Sequence, residues 1–224
     1  MHSHLLPGID DGVKTWEESL EILTQLHKWG FRGAITTPHI LSDYYPNSAE
    51  TILPLLAELR VKAAEAGLDM HLEAAAEYYV DERFMEMLRD KEELLSFGPQ
   101  NYVLFETSYM NMPAFLKEAL FTLSSQGYRP VMAHPERYAY LQEQPQLIGE
   151  LADRVTFQVN TLSLIGYYAP ASKKLAQRLL KSNLIGFLGS DLHRPKQLAA
   201  LSDALQSGLY RKITEAGISN ESLI

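Results

Sequence analysis

The sequence predicts an α/β protein whose parallel strands close into a barrel. Apolar, strand-like runs alternate with helical patterns along the whole chain, and the links between them are short, without a Pro/Gly/Ser-rich linker. Successive apolar runs end in a histidine or a carboxylate, which is typical of the rim of a parallel barrel. We therefore expect one domain over 1–224, built as a distorted TIM-like barrel of about seven β/α units.

Helix signals and strand ends follow one another in the first half of the chain. A helix begins at the T-x-x-E capping box of Thr15 and ends at Gly30. A second helix ends at Gly67 and has Pro54 within its first turn, because proline is tolerated there. Asp81 caps a third helix. The strands of this half end, in order, at His39, Glu77 and Glu106.

The second half continues the alternation. Helical patterns cover Ala114 to Gln126, Gln146 to Asp153, Ser172 to Ser182 and Gln197 to Gln206, while the tail after Gly208 has no clear pattern. Strands end at His134, Asn160 and Asp191. An open, doubly wound sheet is the alternative fold, but its edge strands lie far apart, so residues from all strands would not meet.

Composition excludes several functions. The net charge of −8 and pI near 5.4 argue against nucleic-acid binding, which depends on Lys and Arg. The absence of cysteine excludes thiolate phosphatases, cysteine proteases and Cys-based zinc sites. A G-x-S-x-G elbow, glycine-rich phosphate loops, a signal peptide and a membrane-spanning run are also missing, so we expect a cytoplasmic protein without membrane insertion.

The histidines and carboxylates at the strand ends indicate a metal site. His2 and His4 form an H-x-H pair, and Asp191 and His193 repeat that spacing, so each pair points to one side of an extended chain. A single such residue is usually a cap or a solvated loop residue, but the whole set is difficult to explain that way. His27 and His71 lie away from the rim and are interpreted as structural. The candidate ligands are His2, His4, Asp11, His39, Glu77, Glu106, His134, Asp191 and His193.

Charge indicates how many ions this set could hold. Its four carboxylates are neutralised by two divalent ions, whereas three ions leave a net positive site. Nine donors are too many for one ion and suit three ions with bridging carboxylates. A net positive cluster with open positions suits hydrolysis of a phosphate ester, because it binds phosphate oxygens and activates water.

Six motifs occur in order along the chain. They are HSHLLPGIDDG at the start, TTPH ending at His39, AAAEYY around Glu77, VLFE ending at Glu106, AHPER from Ala133 to Arg137, and GSDLH ending at His193. Together they resemble the PHP (polymerase and histidinol phosphatase) superfamily, and most closely its bacterial tyrosine-protein phosphatases of capsule and exopolysaccharide operons. The resemblance implies a PHP-type barrel with three divalent ions, manganese first, with iron, zinc or magnesium as alternatives. It assigns His2, His4, Glu77 and Asp191 to the first ion, Glu77, Glu106 and His134 to the second, and Asp11, His39 and His193 to the third.

The same resemblance implies the activity, which is hydrolysis of phosphotyrosine by direct attack of a metal-bound hydroxide. It makes Arg137, Asp191 and His193 the catalytic residues, with Arg137 binding the substrate phosphate. The expected substrate is a tyrosine autokinase of the membrane that controls polysaccharide export. Family members usually have a few residues before the H-x-H pair, whereas only Met1 precedes His2 here, so we expect a weakened first-ion site.

Other functions stay open on the sequence alone. A histidinol-phosphate or general phosphomonoester phosphatase would need the same cluster, a proofreading nuclease is disfavoured by the acidic charge, and a non-catalytic kinase-binding module is a remote alternative. The oligomeric state is also open. Tyrosines near the predicted rim could contact a phenyl ring or could only pack loops. They are Tyr44, Tyr45, Tyr78, Tyr79, Tyr109, Tyr138, Tyr167 and Tyr168.

Overall fold

The computed structural model, which describes residues 1–223, has the predicted barrel of parallel strands. Two of its positions are filled by interrupted strands, since β1 is followed directly by β2 and β3 by β4, and the backbone ladder continues across each break. The strands are β1 (Gly33–Thr36), β2 (His39–Ile40), β3 (His71–Ala74), β4 (Glu77–Tyr79), β5 (Tyr102–Glu106), β6 (Arg129–Ala133), β7 (Thr156–Asn160) and β8 (Ile185–Gly189).

The N-terminal segment closes the barrel. Strand β1 pairs with β3, and the other strands pair in the order β2-β4-β5-β6-β7-β8, all parallel. Ser3 bridges Leu192 just beyond β8, and on its other side the Ser3 carbonyl accepts a hydrogen bond from the Thr37 backbone at 2.7 Å. Residues 1–4 therefore occupy the seventh position, between β8 and β1, and bring His2 and His4 to the rim.

Helices cover the outside of the barrel. They are α1 (Trp16–Lys28), α2 (Ala49–Glu65), α3 (Glu82–Asp90), α4 (Leu116–Ser125), α5 (Ala139–Glu143), α6 (Gln146–Ala152), α7 (Pro170–Lys181), α8 (Leu198–Leu205) and α9 (Gly208–Glu215). The predicted caps Thr15 and Asp81 accept hydrogen bonds from the backbones of Glu18 and Phe84. Among residues 1–223, no helix combines the length and the apolar character needed to traverse a membrane.

One helix prediction differs from the structure, and two helices were not predicted. The placement of Pro54 in a first turn is wrong, because a capping box between Ser48 and Thr51 starts α2 earlier and leaves the proline inside the helix. The short helix α5 has no helical period to reveal it, since it is only five residues long. The tail beyond Gly208 forms α9, in which Ser207 accepts a hydrogen bond from the Tyr210 backbone.

Side chains alternate between the barrel interior and the helix layer. In β5, Val103 and Phe105 join the large core beneath the helices, whereas Tyr102 and Leu104 join a smaller cluster with residues such as Val131 and Phe187. Glu106 continues the inward-facing series from Tyr102 and Leu104. The lower barrel is therefore filled by apolar side chains, and the polar residues are confined to the rim above them.

Candidate metal centre

All nine candidate ligands lie together at the carboxyl end of the barrel, with Glu77 at the centre. One carboxylate oxygen of Glu77, Oε2, lies 3.2 Å from His2 Nε2 and 3.4 Å from His4 Nε2. The same oxygen is 3.3 Å from Nδ1 of His39, and Oε1 is 2.9 Å from His134 Nε2. Four imidazoles from three positions of the barrel thus meet one fully buried carboxylate.

The other carboxylates complete the cluster. Asp191 Oδ1 lies 3.3 Å from His2 Nε2 and 3.4 Å from His4 Nε2. Glu106 Oε1 lies 3.0 Å from His39 Nδ1. Asp11, whose side chain is half exposed, reaches His39 Nε2 at 3.4 Å and His193 Nε2 at 3.3 Å. The cluster therefore runs from a buried end at Glu77 to an accessible edge at Asp11 and His193.

Backbone turns direct three of these side chains into the cluster. His2, His134 and Asp191 have φ angles of 61°, 32° and 50°, in the left-handed region that residues with a Cβ rarely adopt. Such conformations cost about 1–3 kcal/mol each and persist where the surroundings enforce them, which is common at functional sites. Here all three residues lie at the rim, where the backbone departs from the extended conformation of a strand.

Hydrogen bonds on the far side of the rings orient the histidines. Asp10 Oδ2 accepts from His4 Nδ1 at 2.7 Å, and Gln158 Oε1 lies 2.6 Å from His2 Nδ1. Sequence reasoning missed Asp10, Gln158 and Asn160 as site residues. The signal was present, because Asp10 precedes Asp11 in the DDG turn and polar side chains occupy alternate positions of the apolar strand β7. Asp10 and Gln158 hold the Nδ1 side of the His4 and His2 rings, which turns Nε2 of each ring toward the centre of the cluster.

In the absence of metal, the cluster binds protons. Burial lowers the pKa of His2, but the charges of Glu77 and Asp191 outweigh that effect and raise it to about 9. Burial likewise opposes protonation of His39, yet Glu77 and other carboxylates raise its pKa to about 10. Burial raises the pKa of Glu77, but the neighbouring histidines prevail and hold that pKa well below its usual value. Charged imidazoles thus stabilise buried carboxylates at the positions that metal ions would take.

The donor set fits divalent metal ions. Nε2 of His4 and Nδ1 of His39 are buried, have no hydrogen-bond partner and face carboxylate oxygens. Three groups have donor atoms within 4.8 Å of one another. They are His2, His4, Glu77 and Asp191; His4, Asp11, His39 and His193; and His39, Glu77 and Glu106.

These groups partly match the ligand sets that the resemblance implies. The first is the expected set, and the second contains the expected third set with His4 added. In the last group His39 stands where His134 was expected, because His39 Nδ1 lies close to both Glu77 and Glu106. His134 Nε2 is 2.9 Å from Glu77 but 3.9 Å from Glu106. The ligand role of each residue stays a prediction.

Arg137 lies beside the cluster, held between two aromatic rings. Its guanidinium carbon is 4.9 Å from the ring centre of Tyr109 and 4.3 Å from that of Tyr168, and its Nη1 donates to Asp191 Oδ2 at 2.9 Å. Cation–π contacts of this kind contribute about 0.5–1 kcal/mol each at exposed positions. With its side chain 24% exposed, Arg137 can face an anion that enters from solvent.

The other candidate residues divide between the rim and the interior. Tyr45 stacks on His39, whereas Tyr78 and Tyr138 are buried in the core and cannot contact a substrate. Tyr44 and Tyr167 are exposed, and Tyr79 is half-buried. His27 lies in the last turn of α1 and His71 at the start of β3, both away from the cluster.

The position of His2 bears on the expected weakness of the first-ion site. His2 is fully buried, its backbone carbonyl accepts from Asp191 at 2.9 Å, and the Met1 carbonyl accepts from Ser190 at 3.3 Å. These contacts hold the backbone at His2 in place. A lowered metal affinity of this site stays a prediction.

Comparisons with known proteins identify the family. The family model for capsular polysaccharide synthesis, CpsB/CapC, matches residues 1–220. The tyrosine-protein phosphatase YwqE of Bacillus subtilis is 30% identical over 199 residues, covering 88% of this chain and 77% of that protein. A solved structure also matches, from work on YwqE of Bacillus subtilis and CpsB of Streptococcus pneumoniae, which are described as metal-dependent tyrosine phosphatases. The match covers 96% of this chain and 90% of that one, with 28% identity and a TM-score of 0.80.

A more distant likeness concerns the fold alone. The histidinol phosphate phosphatase of Lactococcus lactis, solved with zinc, histidinol and phosphate, has a TM-score of 0.59 at 16% identity and covers 97% of this chain and 92% of that one. Among these matches, family membership rests on the full-length family model and on YwqE. The chain belongs to the CpsB/CapC family of capsular polysaccharide synthesis.

Proposed function

We propose that this protein is a metal-dependent phosphatase that hydrolyses phosphotyrosine in proteins. The observation that carries the proposal is the convergence of five histidines and four carboxylates beside Arg137, at the open end of the barrel. The chain has no cysteine, so the thiolate chemistry of other tyrosine phosphatases is excluded. Membership of the CpsB/CapC family and the similarity to tyrosine-protein phosphatase YwqE support the choice of phosphotyrosine.

The residues of the cluster would hold three divalent ions, with manganese as the first choice. Glu77 is the natural shared ligand, since its two oxygens face four histidines. Bound ions would supply an activated water and positive charge for the phosphate oxygens. Three ions against four carboxylates leave the centre net positive, which favours a phosphate dianion.

The other residues of the chain orient the substrate. The planar guanidinium of Arg137 can bind two phosphate oxygens at once, and the rings of Tyr109 and Tyr168 restrict its movement. Arg137 donates a hydrogen bond to Asp191 Oδ2, and Asn160 donates to the same oxygen. A phosphate would therefore compete with the Asp191 carboxylate for the Arg137 guanidinium. Exposed aromatic residues at the rim, such as Tyr44 and Tyr167, are available to a phenyl ring or its flanking peptide.

The substrate that we propose is a tyrosine autokinase of the membrane, acting in capsule or exopolysaccharide synthesis. The support is the family, whose model is described by capsular polysaccharide synthesis. A histidinol-phosphate phosphatase is the second candidate, but the match to the solved enzyme of that type is at the level of fold only. The two candidate substrates differ in the group that must fit beside the phosphate. Histidinol phosphate brings an imidazole, whereas phosphotyrosine brings a phenol ring on a peptide.

The test is hydrolysis of a phosphotyrosyl peptide, a phosphoseryl peptide and histidinol phosphate, after chelation and after addition of manganese. We expect activity that returns with metal and prefers phosphotyrosine, and that falls about 10- to 100-fold in Arg137→Ala, because a hydrogen bond to a charged group is worth about 1.5–3 kcal/mol. Arg129→Ala is the matched control, since Arg129 is exposed at the opposite end of β6. Preference for histidinol phosphate, or no metal-dependent turnover, would overturn the proposal.

A further inference from the structure

Two buried amides stand behind the cluster, on the inward face of β7. Gln158 and Asn160 are fully buried, and neither belongs to the candidate ligands. Gln158 lies 2.6 Å from His2 Nδ1 and 3.0 Å from Asn160, which in turn lies 2.6 Å from Asp191. Asp191 also accepts from Arg137, so one continuous path of hydrogen bonds joins His2 to the arginine.

The direction of every hydrogen bond in this path is determined by its acidic end. The Asp191 carboxylate is acceptor-only, so the group of Asn160 that faces it must be the amide NH2. The carbonyl of Asn160 then accepts from the Gln158 NH2, which leaves the Gln158 carbonyl to face His2. His2 must therefore carry a proton on Nδ1.

This assignment leaves only Nε2 of His2 for a cation. Nε2 lies 3.2 Å from Glu77 Oε2 and 3.3 Å from Asp191 Oδ1, between two carboxylates. Once the ring has lost one proton to a bound cation, a histidine free to change tautomer could keep its remaining N–H in this gap and occupy it with a proton donor. Gln158 removes that alternative, because its carbonyl cannot donate a hydrogen bond to Nδ1.

Packing of β8 holds the Gln158 side chain in place, and its hydrogen-bond partners fix which way the amide faces. A Cβ on Gly189 would lie 2.4 Å from Gln158 Nε2 and 2.9 Å from the His2 Cβ, so the backbone of β8 passes directly against both side chains. The Gln158 carbonyl also lies 3.4 Å from the backbone N–H of His134, a second donor that would lose its acceptor if the amide flipped. Only glycine at position 189 leaves room for this arrangement.

Asn160 divides the roles of the two oxygens of Asp191. The Asn160 NH2 and the Arg137 guanidinium both donate to Oδ2. Oδ1 is left to face the Nε2 atoms of His2 and His4. The carboxylate is thereby held with one oxygen toward the ligand cluster and the other toward the residue proposed to bind phosphate.

We infer that Gln158 and Asn160 are positioning residues. Gln158 holds His2 in its metal-binding tautomer, and Asn160 holds Asp191 between the metal cluster and Arg137. The effect on phosphate binding rests on the proposed function, whereas the effect on metal binding does not. Loss of a polar partner behind a metal-bound histidine typically weakens metal affinity about 10- to 100-fold. Gln158 should therefore control metal affinity, and Asn160 both metal affinity and KM.

The experiment measures manganese affinity by competition with a chelating dye, in the wild-type protein and in Gln158→Leu, Gln158→Glu and Asn160→Leu. Gln158→Leu removes the acceptor at similar size, whereas Gln158→Glu keeps an oxygen facing His2 but replaces the donor to Asn160 by an acceptor and adds a charge. Gln126→Leu is the control, since Gln126 donates to the Leu88 carbonyl at the far end of α4. Circular dichroism and thermal melting report whether each variant is folded.

We expect Gln158→Leu to bind manganese about 10- to 100-fold more weakly, with a smaller loss in Gln158→Glu, which keeps the oxygen facing His2, and no change in the control. Asn160→Leu should also raise the inhibition constant of inorganic phosphate. Wild-type affinity in a folded Gln158→Leu, or equal losses in the Leu and Glu variants, would overturn the inference. If Gln158→Leu does not fold, Gln158→Met, which also lacks the oxygen facing His2, takes its place in the same comparison. A wild type that binds manganese without hydrolysing phosphotyrosine would refute the proposed function and leave this test intact.

Discussion

Gly12 is predicted to be indispensable because the backbone of the DDG turn touches His4. A Cβ at position 12 would lie 2.5 Å from both the Cβ and the backbone oxygen of His4, and 2.8 Å from Asp10 Oδ1. Favourable carbon contacts are about 3.5–4.0 Å, so Gly12→Ala must displace His4 or the turn by about 1 Å. Such overpacking costs about 1–3 kcal/mol, and each kcal/mol lowers the Tm of a chain of this size by about 2–4 °C.

The same displacement should weaken metal binding. His4 is held by Asp10 at 2.7 Å on one side and faces Glu77 and Asp191 on the other, so a shift of its backbone misaligns the ring at both ends. We expect manganese affinity to fall at least 10-fold in Gly12→Ala, as for loss of a partner that orients a ligand. Thermal melting of the metal-free protein and a chelator competition measure the two effects separately.

Gly149→Ala is the matched control for this substitution. Gly149 lies within α6, and a Cβ there would meet nothing within 4 Å. Alanine in a helix interior is favoured over glycine by about 0.5–1 kcal/mol, so this variant should melt slightly higher and bind metal normally. A Gly12→Ala protein that matches wild type in both Tm and manganese affinity would refute the close contact at His4.

Three further predictions concern the charge of Arg137, its contact with the ring of Tyr168 and the protonation of the histidines. Arg137→Lys keeps the charge but loses the two-pronged geometry, so the KM for a phosphotyrosyl peptide should rise in steady-state assays. Tyr168→Leu should raise the inhibition constant of phosphate about two- to fivefold by removing a cation–π contact, whereas Tyr168→Phe should not. The metal-free protein should lose Tm between pH 7 and 10, because His2 and His39, with pKa values raised to about 9 and 10, stabilise the fold only while protonated.

The sign of the pH effect follows from the unfolded reference. An unfolded histidine has a pKa near 6.5, so the stabilisation is complete below that pH and disappears as the pH rises through the folded values. Manganese takes the place of these protons, so the metal-loaded protein should keep its Tm over the same range. Equal alkaline losses with and without metal would contradict this explanation. An unchanged KM in Arg137→Lys would contradict the role of its two-pronged geometry, and equal phosphate inhibition in the two Tyr168 variants would contradict the role of the cation–π contact.

The barrel and the gathering of its ligands were predictable because both depend on short-range patterns. Strand ends of a parallel barrel share one rim, so His39, Glu77, Glu106 and His134 could be placed together from their positions after apolar runs. The closure by residues 1–4 follows the same rule, with His2 and His4 brought to that rim.

The partners behind the ligands were not predictable in the same way. Gln158 and Asn160 come from β7, a strand that carries no candidate ligand. Their role depends on which side of β7 faces the barrel interior. The pairing of His39 with both Glu77 and Glu106 depends on ring orientation, which the register of β2 on β4 sets. Helix α2 begins early because of a capping box that the proline pattern concealed.

The central claim is that nine side chains bind three divalent ions next to a phosphate held by Arg137. Anomalous diffraction from crystals grown with manganese and phosphate, collected at the manganese absorption edge, tests it most directly. We predict three anomalous peaks, within ligand distance of the groups around Glu77, Asp191 and Asp11, and a phosphate in contact with Arg137. An absence of peaks at this rim, or a phosphate bound away from Arg137, would contradict the account.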